Sequence, residues 1–360
     1  MIQELINRYK RMRTERFLRQ TYQYQYAFVG MGQHSLTNLY PVLHYLGVPL
    51  KCICVTSGRK AKLIEQKYPS VKATTSLDEI LKDESVKGVF VSASPSAHFS
   101  IASQVLKSGK SLFIEKPPCQ TLEELDTLIA LQQQFGSPVA MVGLQKRYAP
   151  AVQLLKQHLH EERLISYDLH YLTGVYPEGN ALLDLYIHPL DLVCFLFGQP
   201  EILACRQVTK DSFILMLQHP HIIGTLELST AYAWTTAEES LKVCTYSGVY
   251  TLSQMEKLTF SPTSSTIFGI PMEKLRPRHE TKELLFLRNN FTPILANNQV
   301  YTQGYHSEIA AFVESIEDRH SDILTPLSSL KTIYETILQI QTVIGSSGNT
   351  HRKQSPLQSL

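Results

Sequence analysis

No stretch of this 360-residue chain reaches the roughly 18 uninterrupted apolar residues that a membrane-spanning helix requires, so none is expected. Cysteine is sparse and scattered. The six residues (Cys52, Cys54, Cys119, Cys194, Cys205, Cys244) form no CxxC pair and no zinc-like spacing, which points to reduced thiols in a cytoplasmic protein and to no metal. Net charge is nearly absent too: 34 Lys and Arg against 32 Asp and Glu leave +2, too little to hold nucleic acid or a membrane through bulk electrostatics. The N-terminus lacks the apolar core of a secretory signal. It instead gathers Arg8, Lys10, Arg11, Arg13, Arg16 and Arg19 around Ile2, Leu5, Ile6, Tyr9 and Met12 at helical spacing. Residues 1–21 therefore read as a basic helical extension, solvated rather than lipid-bound.

What is present is ordinary globular material, 43% hydrophobic and 18% charged, in a chain long enough for two domains. From 22 to 146, short apolar strands (YAFVG, LKCICVT, GVFVSA, SLFIE, VAMVGL) alternate with amphipathic helices. The helices are expected at Gln33 to Leu46, Arg59 to Lys67, Leu77 to Lys82, His98 to Ser108 and Leu122 to Phe135. Strands without polar alternation, spaced by helices, indicate a parallel sheet covered on both faces: an α/β, doubly wound Rossmann domain.

From 147 to 344 the pattern changes to one strongly apolar helix (Ala181 to Phe197) followed by successive strands with turn residues between them. That pattern predicts an α+β domain with an open, mostly antiparallel sheet. The stretch from 261 to 301 has no clear periodicity, and residues 345–360 read as a flexible tail.

Directly after the first strand come Gly30, Met31, Gly32, Gln33, His34 and Ser35, opening a helix. Glycine at the first position permits a tight turn, and at the second it lets backbone approach a pyrophosphate. Ser35 occupies the position where Gly or Ala is usual. At the end of the second strand, where an NAD site presents a carboxylate, the chain reads Thr56, Ser57, Gly58, Arg59, Lys60. Hydroxyls and cations without an acid suit a 2′-phosphate, so NADP is favoured over NAD.

Two further stretches carry chemistry. "FIEKPPCQT" ends an apolar strand abruptly on Glu115 and Lys116, followed by two prolines, which admits a cis Lys116-Pro117 bond. "EGNALLDLYIHPLDL" places Asp184, His188 and Asp191 at helical spacing on one face of an otherwise apolar helix, with Pro189 marking a kink or a new helix start. Three ionisable groups there indicate a polar cleft.

Taken with "SASPSAHF" and "GLQKRYAPAV", these motifs resemble the glucose-fructose oxidoreductase, inositol dehydrogenase and rhizopine catabolism (GFO/IDH/MocA) family along residues 24–344. The resemblance implies hydride transfer between NAD(P) and a hydroxyl or carbonyl of a sugar, polyol or related molecule. It implies that Lys116 contacts cofactor and reacting oxygen, with Glu115 and Pro117 at the cofactor, that His188 shares the proton relay with Lys116, and that Asp184 orients His188 or a substrate hydroxyl. Ser94, Pro95 and His98 would lie at the nicotinamide ribose, Arg147 and Tyr148 in the substrate cleft, and the second sheet would support a homodimer or homotetramer. Asn180 and Tyr186 depart from the family's glycines. Tyr186 would narrow the substrate pocket or alter where substrate lies, and the departures leave open a cofactor-binding regulator or assembly protein without turnover, or a redox-neutral lyase or glycosidase.

Overall fold

The computed structural model describes residues 2–18, 21–176, 179–275, 282–291, 294–319 and 321–351, which form two units. The first comprises Met1–Glu115, Ala130–Met141 and Ile309–Ile323; the second comprises Lys116–Ile129, Val142–Glu308 and Leu324–Leu360.

The first unit is built on strands β1 (Gln25–Val29), β2 (Leu50–Cys54), β3 (Lys72–Thr74), β4 (Val86–Val91), β5 (Ser111–Glu115) and β6 (Ala140–Gly143), in the order β3-β2-β1-β4-β5-β6. The pairs β1–β2, β1–β4, β2–β3 and β4–β5 are parallel, and the order reverses at β1, which makes this the doubly wound topology anticipated from the strand pattern. Tyr26, Ala27 and Phe28 of β1 are wholly buried, as a strand covered on both faces requires. β3 has only three residues and was not foreseen.

The expected division at 146/147 is not how the chain is distributed. Residues 309–323 belong to the first unit, where Phe312 packs edge-on against Phe90 and Phe113 with centroids 5.1 and 5.8 Å apart. Removing a ring of this kind from a core costs about 3–5 kcal/mol. Glu317 then accepts hydrogen bonds from Gln23 N at 2.8 Å, Tyr24 N at 3.0 Å and the Tyr26 hydroxyl at 3.1 Å. A carboxylate 293 and 294 residues distant thus satisfies the N–H groups entering the first strand.

The second unit carries a sheet of eight strands: β7 (Leu164–Leu172), β8 (Glu201–Thr209), β9 (Ser212–Gln218), β10 (Ile223–Ser229), β11 (Glu238–Thr245), β12 (Gly248–Ser253), β13 (Lys257–Pro262) and, after a small hairpin of β14 (Thr266–Ile267) and β15 (Ile270–Pro271), β16 (Glu283–Leu287). Their order is β16-β13-β12-β11-β7-β10-β9-β8, open at both ends, and only β7–β10 is parallel among the paired neighbours. β13 and β16 flank or fall in the stretch without periodicity.

The N-terminal helix Ile2–Leu18 forms as expected. At the other end, helix Lys331–His351 runs through the beginning of the expected tail, while residues 352–360 lie outside those described.

Candidate functional site

The first unit holds a cavity of about 620 Å³ at the carboxyl ends of β1, β2 and β4, lined by Gly30, Met31, Gly32, Gln33, His34 and Ser35. Gly30 has φ +90°, and a Cβ there would lie 2.2 Å from Ser92 O, so no other residue fits. A Cβ on Gly32 would meet nothing within 4 Å, which leaves the backbone open to a ligand. The helix from 33 to 46 starts at this loop, its wider π turn spanning Ser35–Leu39. Ser35, buried completely, donates from its hydroxyl to Ser92 Oγ at 3.0 Å. The hydroxyl thereby joins helix to strand where a glycine would rely on close packing alone.

Thr56 and Lys60 also line the cavity, as do Thr75, Leu77, Ser92, Ala93, Ser94, Ala97 and Ile101. No Asp or Glu lines it among the described residues. Thr75 was missed because it follows the unforeseen β3; Ser92 and Ala93 sit in a motif singled out only from Ser94 onward. Four residues expected at the cofactor, Ser57, Arg59, Pro95 and His98, do not line the cavity. Ser57 caps helix Gly58–Lys67, accepting Lys60 N at 3.4 Å. Arg59 is exposed in that helix's first turn and does not line the cavity. Pro95 begins helix Pro95–Lys107 and His98 is buried, its Nε2 accepting Ala93 N at 3.3 Å.

Glu115 faces the glycine loop. Its Oε1 lies 3.2 Å from His34 Nε2, and His34 Nδ1 lies 3.0 Å from the Asn38 amide. The misplaced carboxylate of the sequence therefore orients a ring on the cavity wall. The glycine cradle, the open backbone at Gly32 and the size of the cavity fit a nicotinamide dinucleotide.

Lys116, the next residue, opens the second unit, and its bond to Pro117 is cis. Lys116 Nζ donates to the carbonyl of Asp184 at 2.6 Å. Asp184 ends helix Ala181–Asp184, which Asn180 caps by accepting Leu182 N at 3.1 Å. The Asp184 carboxyl turns back so that Oδ2 accepts Asn180 N at 2.8 Å. Gly179 at φ +84° makes room, since a Cβ there would lie 1.9 Å from that oxygen. The Gly179-Asn180 pair thus holds the acid in place, and the departure at Asn180 has a structural purpose. Asp184 Oδ1 is buried without a hydrogen-bond partner among the described residues. Burial raises the Asp184 pKa, against the opposing influences of Asn180 N–H and the Lys116 charge.

Asp184, His188 and Asp191 do not share one helical face. The helix breaks at Leu185 and Tyr186 and restarts as Ile187–Phe197, with Pro189 in its first turn where a missing N–H costs nothing. His188 is half-buried at the second position of this helix.

Asp191 is 1% exposed and accepts from Arg147 Nε at 3.0 Å through both oxygens, while Arg147 Nη1 donates to Leu324 O at 2.6 Å. Tyr148 is buried with its hydroxyl accepting Leu324 N at 2.7 Å, and burial pushes its pKa up to about 12. Arg147 and Tyr148, expected in a substrate cleft, are thus both tied to Leu324 within the second unit. Tyr186, expected at the substrate pocket, is likewise held within this unit. Its ring is fully buried edge-on to Tyr171 and Phe213, and its hydroxyl donates to Asp211 O at 2.5 Å. Lys146, buried against Glu239 and 4.6 Å above the Tyr171 ring, was not foreseen either. Among the described residues no cluster of His, Cys, Asp and Glu could hold a metal ion, and no helix is long and apolar enough to cross a membrane.

Comparison with known proteins gives this geometry a context. The family described as "oxidoreductase family, NAD-binding Rossmann fold" matches residues 24–144. Inositol 2-dehydrogenase of Salmonella paratyphi B is 24% identical over 207 residues, 55% of this chain and 62% of that protein. The chain spans only about 58 to 62% of the length of such curated relatives. A dehydrogenase structure from Chromobacterium violaceum superposes with a TM-score of 0.76 at 19% identity, covering 93% of this chain and all of the other. A levoglucosan dehydrogenase, solved with NADH and levoglucosan, gives 0.74 at 16% identity over 90% of this chain and 97% of its own. These likenesses show the fold over 90 to 93% of the chain. What the comparisons establish at the family level is thus a match of residues 24–144 to the GFO/IDH/MocA oxidoreductase family model, which is described by an NAD-binding Rossmann fold.

Proposed function

We propose that the protein is a cytoplasmic NADP-dependent oxidoreductase acting on a CH–OH group or carbonyl of a sugar or polyol. The observation that carries this reading is the Lys116 amine held against Asp184, whose second carboxyl oxygen is buried and unsatisfied among the described residues. A buried orphan acceptor costs about 1–3 kcal/mol, and a substrate hydroxyl would relieve it. When bound, the cofactor supplies or accepts the hydride. Lys116 gives or takes the proton at the reacting oxygen, the carbonyl of Asp184 fixes the amine's position, and His188 passes the proton to or from solvent. The open sheet exposes Leu203, Val208, Ile214 and Met216 on β8 and β9, an apolar face suited to self-association as a homodimer or homotetramer.

The preference for NADP rests on Lys60, Thr56 and Thr75 in a cavity wall without acids. Lys60→Ala is expected to weaken NADPH binding about tenfold, the loss of one charge-assisted contact, with NADH within about twofold. Nicotinamide fluorescence titration reads both; equal weakening would leave no 2′-phosphate contact at Lys60. Turnover is then tested with a panel of sugars, inositols and keto sugars, and binding without turnover of any would favour the regulator.

Because burial raises the Asp184 pKa, acidification protonates it at a higher pH than an exposed Asp. The acidic limb of kcat/KM against pH should sit above the ordinary carboxylate range and disappear in Asp184→Asn. A limb unmoved by that substitution belongs to another group.

A further inference from the structure

Three side chains that ionise line the cavity of the first unit, His34, Cys54 and Lys60, and of these His34 alone belongs to the glycine loop. Burial pushes the Cys54 thiol up, so it stays neutral near neutral pH. Imidazole is the side chain whose charge ordinarily changes there.

The ring is held at both nitrogens. Nε2 lies 3.2 Å from Glu115 Oε1, and both atoms are sealed from solvent. Glu115 is 9% exposed and does not itself line the cavity, whereas 40% of the His34 side chain is open. On the other side Asn38, one helical turn on, brings its amide 3.0 Å from Nδ1. Glu115 can accept from Nε2–H whether the ring is neutral or charged. Asn38 can also serve both states: its NH2 group donates to a bare Nδ1, and after half a rotation its carbonyl accepts from Nδ1–H. Proton uptake therefore requires a turn of the Asn38 amide and no movement of the ring. Two further histidines lie on neighbouring elements. His98 is buried against Ala93 N, and His44 is exposed in the last turn of the helix that His34 begins; neither lines the cavity.

The order of these groups decides what the charge does. A carboxylate behind the wall repels a pyrophosphate, and a neutral His34 leaves that charge uncompensated. With imidazolium the pair is neutral, and its positive half is the one that faces the cavity. Resting on the dinucleotide reading of this cavity, we propose that His34 is a proton-titrated cofactor ligand, whose imidazolium places positive charge beside the pyrophosphate and whose deprotonation weakens cofactor binding. Glu115 and Asn38 are its positioning residues. Affinity is highest at pH values below the range in which His34 titrates and falls as pH rises through it.

The experiment titrates the full chain with NADH by nicotinamide fluorescence from pH 6 to 8.5. NADH is the cleaner probe because it lacks the 2′-phosphate, a group that itself titrates near pH 6. Its Kd should rise about fivefold over that range, the loss of one charge-assisted contact. The rise for NADPH should be smaller, since its 2′-phosphate gains charge as His34 loses it. In His34→Gln the Kd for NADH should stay at the high-pH value throughout. Asn38→Asp gives Nδ1–H an anionic acceptor, and should keep the rise while moving its midpoint up by about one pH unit. A ring that only packs the loop would move with neither variant's pH profile. A Kd for NADH that is flat in the wild type, a rise that persists in His34→Gln, or a midpoint unmoved in Asn38→Asp overturns the proposal. Failure of the folded wild-type chain to bind either nucleotide would instead defeat the dinucleotide reading.

Discussion

Lys116→Met is expected to lower kcat by roughly 10² to 10³-fold while NADPH affinity, read by fluorescence, changes little. Methionine keeps the length and apolar stem of lysine, so the segment after β5 keeps its packing and only the proton-carrying atom is lost. The donor to Asp184 O disappears with it, which should also loosen Asp184 and raise KM modestly. Lys116→Arg is the informative companion. Guanidinium carries positive charge and can hydrogen bond, but it does not give up its proton in a protein. If Lys116 only anchors substrate, arginine should restore much of the activity; if it moves a proton, arginine should be nearly as inactive as methionine. His188→Asn should lose roughly 10²-fold by the same measure. Wild-type turnover in either variant would remove that residue from the relay.

The second large effect concerns stability. Arg147→Met or Asp191→Asn should each destabilise the protein by about 3–5 kcal/mol, because the partner is left charged in a site where the two side chains are 7% and 1% exposed. In thermal unfolding this amounts to a fall on the order of 10 °C in Tm. Replacing both together with Met and Leu should recover much of the loss, since apolar pairs of similar volume often match a buried ion pair. Below the melting range, KM of the single variants should stay near wild type. A raised KM with unchanged Tm would return Arg147 to the substrate site.

Local chemistry made the first half of the molecule legible. Strands covered on both faces have no choice but to be apolar throughout, and a glycine loop after the first of them has a distinctive composition, so the parallel sheet and its cavity could be read along the chain. Lys116 and Asp184 were legible for a related reason: charged groups in apolar surroundings stand out. Where the partner of a charge lies was not legible. Arg147 meets Asp191 across 44 residues, and nothing in either neighbourhood distinguishes a salt-bridging arginine from a substrate-binding one. Tyr186 looked like an obstruction because its spacing from His188 was visible while its exit toward Phe213 and Asp211 was not. β3 escaped notice through its brevity, and Thr75, which follows it, went with it.

The bonds from Glu317 to Gln23, Tyr24 and Tyr26, with Phe312 set against Phe90 and Phe113, also govern the order in which the protein can be made. All six strands of the first sheet have been synthesised once Gly143 is added, yet the ring and carboxylate that complete them are translated only at positions 312 and 317. At about 5–20 residues per second, the nascent sheet waits roughly 10–30 s with one flank uncovered. A sheet whose strands are all made early is, in this protein, finished by a segment translated long after them.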